Sequence, residues 1–592
     1  MSDLTFAKPS RWRDLLTRVC LLAISSILLT FSFAPYSQFY LAWIGMVPWL
    51  LALRGTRNIY AAIGWGFIGG VIFNAISMTW LIHATLLGTA ALVGYTSLFW
   101  ALAGAIVHAT KALEPRRWHP AVAVLLIATV WAGCEWFRGW LFNGFQWMFL
   151  GQTQSPILAM CQVADIGGVF AVTFWVMCIN ALIVITVMHR APSPRTRGEG
   201  WGEGPPVASE TRISPDPSPN LSPSTGRGVG LASLFAALIV IFTLLYGLFR
   251  ISQTQTTPGP RVMVVQPDFA HERGGARTVT WEHQAEYHLA ETAKALANEK
   301  GVDLVVWSET VLPPMNAEAR RRAKDPRLST GIHDDVLALV RKHATSLVFG
   351  AYALVTFDKS EADADIRNAT YLYSAFRDDQ LRYDKIHLVP YGESVPFKKS
   401  IPWLHKLMFQ MAAYSVNYLI TAGALDDLRI FDLPTADSNA KWRFVTPICF
   451  EDIDGRLCSR MFRPTPDAPG VKRAELIINI SNDGWFKGNM RRQHFQNAIF
   501  RSIENRAPTA RADNTGISGF IDSVGRVDQA TLMPEDTSGI RVATLAIDPR
   551  LTFYTRFGDV FGAACFVISI AACIVMFVRD RRRAALSLQT HL

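Results

Sequence analysis

The residue with the clearest chemical potential is Cys449, which follows the short run Arg443–Ile448. This run is rich in β-branched and aromatic residues, as strands are, and the acids Glu451 and Asp452 come just after the cysteine. A thiol at the end of a buried strand, beside carboxylates, is an arrangement that α/β folds use for nucleophilic catalysis. The alternative is a core cysteine, because free cysteines are among the most buried residues in proteins.

Two other strand ends carry the groups that a reactive thiol needs. The apolar run Leu304–Trp307 leads to Glu309, and the run Leu381–Tyr383 leads to Lys385. Acyl transfer requires a base for the thiol proton and a cation for the oxyanion, in addition to the nucleophile. Alone, either residue would be interpreted as a solvated loop acid or a surface lysine. Their common position after similar strands favours one shared catalytic site.

His387 is a second candidate base for the thiol, in the manner of thiol proteases. We favour Glu309 and Lys385 because together they already fill both roles. The sequence shows neither a cluster of metal ligands nor a phosphate-binding loop, so no metal and no other cofactor is expected.

Strands and helices alternate around these residues, which predicts an α/β domain at residues 259–556. The predicted strands are Arg261–Gln266, Asp303–Trp307, Ser346–Ala353, Thr370–Phe376, Gln380–Lys385, Arg443–Ile448, Leu476–Ile480, Ile517–Asp522 and Ile540–Ile547. The predicted helices are Trp281–Glu299, Asp334–His343 and Arg491–Arg506. Within this domain Ile401–Ile420 is unusually apolar, and it either packs in the core or dips into a membrane as a lid over the thiol.

The rest of the chain has the composition of a membrane protein. Half of its 592 residues are hydrophobic and only 18% are charged, whereas soluble domains carry about a quarter charged residues. Apolar runs that approach the ~20 residues needed to cross a bilayer predict eight spans. They are Leu15–Phe33, Tyr40–Leu53, Ala61–Trp80, Ala90–Ala112, Ala121–Trp140, Gly167–Met188, Leu231–Phe249 and Gly558–Val578. The second is short, and the first is taken as a membrane helix instead of a cleaved signal peptide because further spans follow it.

The charged residues predict how the chain crosses the membrane. The net charge of +10 lies beside the apolar spans and not in one soluble patch, so nucleic acid is not an expected partner. The alternate connections Ala34–Phe39, Leu81–Thr89 and Leu141–Ile166 contain no Lys or Arg. Because Lys and Arg are held on the cytoplasmic side, both termini are expected there and the α/β domain on the opposite side. The predicted domains are a seven-helix membrane domain at 1–250, an outer catalytic domain at 259–556, and a last membrane helix with a basic cytoplasmic tail at 557–592.

Residues 191–230 interrupt the membrane domain with a stretch rich in Pro, Gly, Ser and Arg. Such a composition buries too little apolar surface to offset the entropy lost on ordering. We interpret this segment as a disordered cytoplasmic insertion without a role in the chemistry.

Two charged residues, Glu135 and Arg138, lie inside the fifth predicted span. Their i, i+3 spacing places them on one helix face, where they can pair. Charges inside a bilayer are costly and often mark a functional site. A structural ion pair near the outer surface is an alternative that the sequence supports equally.

Three motifs carry a resemblance to a known family. They are W-S-E-T around Glu309, D-K-I-H-L-V-P-Y-G-E around Lys385 and P-I-C-F-E-D around Cys449. In this order they resemble the Glu-Lys-Cys signature of the nitrilase, or carbon–nitrogen hydrolase, superfamily, whose fold is an α-β-β-α sandwich. With about eight membrane helices beside that domain, the chain resembles the apolipoprotein N-acyltransferase family of the bacterial inner membrane.

Further motifs extend the resemblance over nearly the whole chain. They are E-W-F-R-G-W-L-F-N-G-F in the fifth span, V-V-Q-P at Val264–Pro267 and N-D-G-W-F at Asn482–Phe486. There are two departures: Phe450 stands where this family commonly has Tyr, and the insertion at 191–230 is foreign to the family.

The resemblance implies a role for each candidate. Glu309 would take the thiol proton, Cys449 would attack the sn-1 ester of a phospholipid, typically phosphatidylethanolamine, and Lys385 would stabilise the oxyanion. The acceptor would be the amine of diacylglyceryl-cysteine at the start of an apolipoprotein, with the catalytic domain in the periplasm. Glu393 and Glu451 would orient Lys385 and the thiol. Residues that would shape the substrate pocket are Trp281, Asn368, Phe450 and Trp485.

Two other functions remain open from the sequence: a membrane-tethered amidase or nitrilase, and a scaffold with a degenerate site. The seven spans before the domain disfavour the first, and the intact set of catalytic residues disfavours the second. A disulfide between Cys449 and Cys458 would abolish thiol chemistry, so Cys458 is interpreted as an ordinary buried cysteine. Nothing in the sequence indicates a subunit interface, and a monomer is expected.

Overall fold

The apolar runs form helices whose lengths match a bilayer. The computed structural model describes residues 11–83, 85–114, 117–190, 223–253, 255–270, 277–356, 365–390, 392–395, 400–411, 420–436 and 442–589. The helices before the α/β domain are α1 (Arg11–Ser32), α2 (Ala42–Gly45), α3 (Val47–Leu53), α4 (Ile59–Ser77), α5 (Leu86–Ala109), α6 (Pro120–Trp140), α7 (Leu158–Cys161), α8 (Ala164–Arg190) and α9 (Pro223–Ser252). Within the described residues, six of these, together with one helix at the end of the chain, are long and apolar enough to cross a membrane.

The predicted second span is shorter than the others. It consists of a 3₁₀ turn at Phe39–Leu41 followed by α2 and α3. The helix is interrupted where Pro48 enters, because a proline has no N–H to donate to the carbonyl of Ile44, four residues earlier. This apolar helical segment falls below the ~20 residues that span a bilayer, so the count of eight spans stays a prediction.

The last membrane helix before the α/β domain starts earlier than predicted. Helix α9 begins at Pro223, inside the segment 191–230 that was interpreted as a disordered insertion. Proline is favourable in the first turn of a helix, where its missing N–H would have no partner in any case. The prediction of disorder is therefore wrong for residues 223–230, and residues 191–222 lie outside the described residues.

The charges of the fifth predicted span do not form the ion pair that their spacing suggested. Glu135 accepts hydrogen bonds from the Leu150 amide at 2.8 Å and the Thr173 hydroxyl at 2.7 Å. Arg138 donates to the carbonyl of Trp147 at 2.9 Å. Both charged groups thus hold the connection between α6 and α8 instead of each other.

The α/β domain is built from two sheets. Its strands are β1 (Thr257–Gln266), β2 (Leu304–Val306), β3 (Ser346–Thr356), β4 (Asp365–Ser374), β5 (Leu381–Asp384), β6 (Phe431–Leu433), β7 (Trp442–Val445), β8 (Leu476–Ser481), β9 (Thr509–Asp513), β10 (Gly519–Ile521) and β11 (Gly539–Ile547). One sheet has the order β11-β1-β2-β3-β4-β5 and the other β10-β9-β8-β7-β6. Each predicted strand overlaps one of these.

Helices complete the layers. They are α10 (Trp281–Asn298), α11 (Ala317–Arg322), α12 (Ile332–His343), α13 (Pro402–Met411), α14 (Gly455–Phe462), α15 (Met490–Asn505), α16 (Phe553–Phe557) and α17 (Val560–Gln589). In β1, Val262 and Val264 pack toward the second sheet, whereas Met263 and Val265 pack with residues of α10 and α12. This period-2 alternation is what a strand buried on both faces requires. The layers form the α-β-β-α sandwich that the resemblance to the nitrilase superfamily implied.

Helix α15 joins the two domains and, apart from Arg492, is buried along its whole length. Gln493 accepts hydrogen bonds from the indoles of Trp80 at 3.2 Å and Trp147 at 2.8 Å, both in the membrane domain. At the other end of the helix, Glu504 accepts one from the Val169 amide at 3.2 Å. Buried polar groups need such partners, so the polar side chains of α15 fix the membrane domain against the sandwich.

A second polar junction anchors α9. Asp165, at the start of α8, accepts hydrogen bonds from the Tyr246 hydroxyl at 2.6 Å and from the guanidinium of Arg250 at 2.7 Å, both on α9. Arg506, which follows α15, donates to the same carboxylate at 2.6 Å. One buried acid therefore connects a membrane helix with the sandwich.

Candidate active site

Three strand ends bring the candidate catalytic residues together. Glu309 follows β2 and Lys385 follows β5 in one sheet, while Cys449 opens a 3₁₀ turn after β7 in the other. The ammonium of Lys385 is 1% exposed and lies 3.3 Å from a carboxylate oxygen of Glu309 and 2.9 Å from one of Glu393. The site thus lies where the ends of both sheets meet.

Lys385 is held in its charged form. Burial alone would lower its pKa, but the carboxylates of Glu309 and Glu393 outweigh burial and raise the pKa well above its ordinary value. The side chain therefore provides a permanent positive charge beside the thiol.

Glu309 is a stronger base than an exposed glutamate. Burial raises its pKa, the ammonium of Lys385 opposes that rise, and the charge of Glu393 adds to it. The amide of Asn368 donates to Glu309 at 2.6 Å and to Glu393 at 3.1 Å. Asn368 thus contacts the two acids, which explains its place among the predicted site residues.

Cys449 has an unusual backbone conformation, and its side chain is a protonated thiol at rest. Its backbone has φ +48°, in the left-handed region that non-glycine residues rarely adopt. Burial raises the pKa of its thiol, the charge of Glu309 raises it further, and Lys385 lowers it, with the net pKa well above the ordinary value. Because the thiolate is the nucleophile, this cysteine needs a base at the moment of reaction.

Glu451 holds the turn of Cys449 against the loop that carries Lys385. One carboxylate oxygen accepts hydrogen bonds from the Tyr383 hydroxyl at 2.9 Å and the Ile386 amide at 2.7 Å. The other accepts from the Ile448 amide at 2.8 Å. This arrangement suits the supporting role that the resemblance implied.

His387 points to a different partner. Its Nδ1 lies 3.1 Å from a carboxylate oxygen of Asp454, and its ring packs edge-on against Phe450 at 5.3 Å. Cys458 is buried, and all eight cysteines, which lie within the described residues, are free. Neither the alternative base nor a disulfide engages Cys449.

An apolar cavity of about 320 Å³ opens beside the thiol. Its lining includes Cys449 and Phe450 of the sandwich together with Leu92 and Tyr95 of membrane helix α5. The lining within the described residues includes Phe486 but neither of the predicted pocket residues Trp281 and Trp485. The ring of Trp281 lies instead under the guanidinium of Arg277, 3.3 Å from its centroid.

The apolar segment after Glu393 is described in part. Residues 402–411 form α13, on which Trp403 and Leu407 are both exposed. This exposure favours a membrane-facing segment over core packing. Residues 412–419 of the predicted lid lie outside the described residues.

Comparison with known proteins decides the family. The model of the apolipoprotein N-acyltransferase N-terminal domain matches residues 25–182, and that of carbon–nitrogen hydrolase matches residues 261–552. The chain belongs to the apolipoprotein N-acyltransferase family. Its catalytic half belongs to the carbon–nitrogen hydrolase superfamily, as the three motifs indicated.

Relatives in this family match the chain along most of its length. The apolipoprotein N-acyltransferase of Geobacter metallireducens is 28% identical over 578 residues, covering 95% of each chain. That of Chlorobaculum tepidum is 26% identical over 584 residues, covering 94% of this chain and 96% of its own. Among solved structures, a CN-hydrolase superfamily protein from Xanthomonas campestris is 16% identical with a TM-score of 0.34, covering 49% of this chain and 91% of that one.

Sequence reasoning missed a buried charge cluster on the far side of the thiol. Its members share burial of at least 95% and contact one another: Asp452, Asp483, His494, Arg511 and Asp513. The sequence signals were the P-I-C-F-E-D motif, which ends at Asp452, and the N-D-G-W-F motif, which contains Asp483, but neither acid was given a role. His494 lies on α15, and Arg511 and Asp513 lie on β9, so spacing along the chain does not show that they meet the two acids.

Asn368→Leu should shift the pH dependence of thiol reactivity. The hydrogen bond from Asn368 stabilises ionised Glu309 and lowers its pKa, so its loss should raise that pKa further. If Glu309 takes the thiol proton, alkylation of Cys449 by iodoacetamide should slow about tenfold on the acid side of the profile, since a hydrogen bond to a charged group contributes ~1.5 kcal/mol or more. At alkaline pH, where Glu309 is ionised in both proteins, the rates should converge.

Asn316→Leu is the matched control for this experiment. Asn316 lies in the same domain and donates to the carbonyl of Leu354 at 2.7 Å, away from the acids of the site. The dependence of its Cys449 alkylation rate on pH should match that of the unaltered protein. An Asn368→Leu profile without an acid-side shift would contradict Glu309 as the base.

Proposed function

We propose that this protein transfers a fatty acyl chain from a phospholipid to the N-terminal amine of diacylglyceryl-cysteine in apolipoproteins, through a thioester on Cys449. The observation that carries the proposal is the apolar cavity that is lined both by Cys449 and by residues of membrane helix α5. It offers an acyl chain a path from the bilayer to a buried thiol with a base and a cation beside it.

The first half-reaction forms the thioester. Glu309 takes the proton of the Cys449 thiol, and the sulfur attacks the carbonyl carbon of the sn-1 ester. The ammonium of Lys385 stabilises the resulting oxyanion, a contribution of roughly 3–4 kcal/mol for one well-placed donor. The oxyanion collapses, the C–O bond breaks, and the lysophospholipid oxygen leaves with the proton held by Glu309.

The second half-reaction forms the amide. The neutral amine of the apolipoprotein attacks the thioester carbonyl, and Lys385 again stabilises the oxyanion. The C–S bond breaks, Glu309 takes a proton from the nitrogen, and that proton returns to the sulfur of Cys449. An amide is more stable than a thioester, so this step is downhill.

A membrane-tethered amidase would use the same three residues, and the cavity distinguishes the two functions. A small amide needs no apolar path to a membrane helix, whereas a fatty acyl chain does. Phe450, which replaces the common Tyr, adds an apolar ring to the lining of this cavity.

We further propose that the sandwich lies in the periplasm and that both termini lie in the cytoplasm of a bacterial inner-membrane protein. It would act as a monomer, with phosphatidylethanolamine as donor. The alternation of basic and uncharged connections supports this orientation. Lys111, after α5, pairs at 2.5 Å with Asp580 near the end of α17. The basic loop and the basic tail therefore share one side of the membrane domain.

Acyl loading tests the mechanism directly. Incubated with phospholipid and no acceptor, the protein should gain one acyl chain on the peptide bearing Cys449, and neutral hydroxylamine should release it. A diacylglyceryl peptide with a free amine should discharge the chain into an amide. Mass spectrometry of the intact protein and of the product peptide measures both steps.

Substitutions assign the roles in that experiment. Cys449→Ala should abolish loading, Glu309→Gln should slow it strongly because the thiol loses its base, and Lys385→Ala should slow both steps, by roughly 100-fold or more for loss of an oxyanion donor. Loading of Cys449→Ala to the same extent would disprove the thioester. Discharge to water alone would favour the amidase.

Leu92→Trp should restrict the cavity. Adding bulk to a well-packed apolar site costs ~1–3 kcal/mol, so loading from long-chain donors should slow about tenfold or more, and loading from short-chain donors should change little. Leu98→Trp is the matched control, because Leu98 is 56% exposed on the same helix. Equal losses for long and short chains would show that the cavity does not hold the acyl chain.

Cysteine labelling tests the orientation. In a Cys449→Ala background, Val471→Cys should react with a membrane-impermeant maleimide from the periplasmic side, since Val471 is 58% exposed on the sandwich. Ser209→Cys should react only after the membrane is opened. Labelling of both from the same side would overturn the topology.

A further inference from the structure

The backbone at Cys449 is held from two sides by consecutive carboxylates. Its left-handed conformation persists only where the surroundings enforce it. Glu451 bonds toward the loop of Lys385, as described above. Asp452 bonds in another direction, accepting from Nε2 of His494 at 2.9 Å and from the guanidinium of Arg511 at 2.7 Å.

His494 is shared between two acids. Its Nε2 faces Asp452, and its Nδ1 lies 2.8 Å from a carboxylate oxygen of Asp483. Burial would lower the pKa of this imidazole, but the two carboxylates outweigh burial and raise it to about 10. Both ring nitrogens therefore carry protons at neutral pH, and His494 acts as a fixed cationic bridge and not as a base.

Asp483 continues the connection back to the thiol. It accepts a hydrogen bond from the Ser481 hydroxyl at 3.0 Å. The Ser481 side chain lies beside the Cys449 thiol and lowers its pKa, and the Ser481 carbonyl accepts the amide of Glu309 at 3.3 Å. One end of β8 thus contacts both the nucleophile and the base.

We propose that His494 is a positioning residue at the centre of a series of hydrogen-bonded side chains that joins Asp452, Asp483 and Ser481. We define these four residues as the thiol ring, because the series begins in the turn of Cys449 and ends beside its sulfur and at the backbone of Glu309. It therefore fixes the distance between nucleophile and base. The inference rests on the proposed role of Cys449 as nucleophile.

The charges around the thiol ring are balanced. Arg511 lies 3.2 Å from Asp483 and 3.1 Å from Asp513, and its guanidinium is also 3.1 Å from Nδ1 of His494. Burial, together with the charge of Asp483, raises the pKa of Asp513 to about 7. Two cations therefore face three carboxyl groups, and the raised pKa of Asp513 reduces the excess of negative charge, which lets the cluster stay buried.

His494 also forms part of the cavity wall, where its ring packs 5.5 Å from that of Trp147. Loss of a cavity wall and loss of the thiol ring have different kinetic consequences. A wall residue changes how well the lipid binds, so its loss raises KM. A residue that aligns thiol and base changes the rate at saturating lipid, because small misplacements of reacting groups are costly.

The test compares His494→Gln with His333→Gln. Glutamine keeps one donor and one acceptor but not the cationic bridge. His333 is a buried histidine of the same domain that contacts the Tyr373 hydroxyl at 2.7 Å, far from the thiol ring in the fold. For each folded protein we would measure the saturated rate of acyl loading, KM for phosphatidylethanolamine in detergent micelles, and the rate of Cys449 alkylation by iodoacetamide.

His494→Gln should lower both the saturated loading rate and the alkylation rate by roughly 10- to 100-fold, with KM changed less than about twofold. His333→Gln should leave all three near those of the unaltered protein. Unchanged loading and alkylation in His494→Gln would overturn the proposal. So would a raised KM at an unchanged saturated rate, which would make His494 a cavity wall only.

Asp452 provides an independent check where His494→Gln does not fold. Asp452→Asn keeps the shape but loses the charge that pairs with His494, and it should show the same pattern, with partial recovery in Asp452→Glu. Equal rates for all Asp452 variants would refute the thiol ring. If the unaltered protein itself never acquires an acyl chain, the proposed function fails, whereas the alkylation rates still decide about the ring.

Discussion

The buried ammonium of Lys385 is the interaction on which the site depends. An unpaired charge in a protein interior is so costly that it is retained only with partners. Its partners come from separate segments, Glu309 after β2 and Glu393 in the loop after β5. Folding of the sandwich therefore has to bring these segments together, and the same pairing leaves Lys385 charged beside the thiol. In the proposed mechanism Glu309 has two roles, since it neutralises Lys385 and also accepts a proton.

The turn of Cys449 is likewise held by buried charged groups that have hydrogen-bond partners. Its strained backbone is surrounded by buried acids with full sets of partners, Glu451 toward the loop of Lys385 and Asp452 toward His494. Each link is a charge-assisted hydrogen bond, which is shorter and stronger than a neutral one. A rigid surrounding of this kind fixes the thiol before substrate arrives.

The sequence predicted those parts of the molecule whose pattern is local. Strands with apolar runs, such as Leu476–Ser481, and the three residues that end strands were found from type and spacing. Strand β9 was missed because Arg511 and Asp513 break its apolar pattern, and their burial depends on partners from other elements. The predicted ion pair between Glu135 and Arg138 was wrong because their partners, too, come from other elements. Backbone and side-chain groups outside helix α6 are better partners, and helix spacing cannot show them.

Helix α15 shows most clearly how the environment predicted from a sequence pattern can differ from the environment in the structure. Its polar residues are typical of a solvated helix face, yet the helix is buried between two domains. Periodicity reports which side chains are polar, and it does not report whether water or protein will satisfy them. The membrane domain supplies that information through the indoles of Trp80 and Trp147.

The position of α15 has a mechanical consequence. Gln493, which receives both indoles, directly precedes His494 along the helix, so a single peptide unit separates a contact of the membrane domain from the residue beside the thiol. Membrane helices tilt when bilayer thickness changes, and Trp80 lies in the 3₁₀ turn Thr79–His83, just after the end of α4. Under the proposed function, lipid composition would thus act on this protein in two ways, as a supply of donor molecules and as a lateral force transmitted to the turn of Cys449.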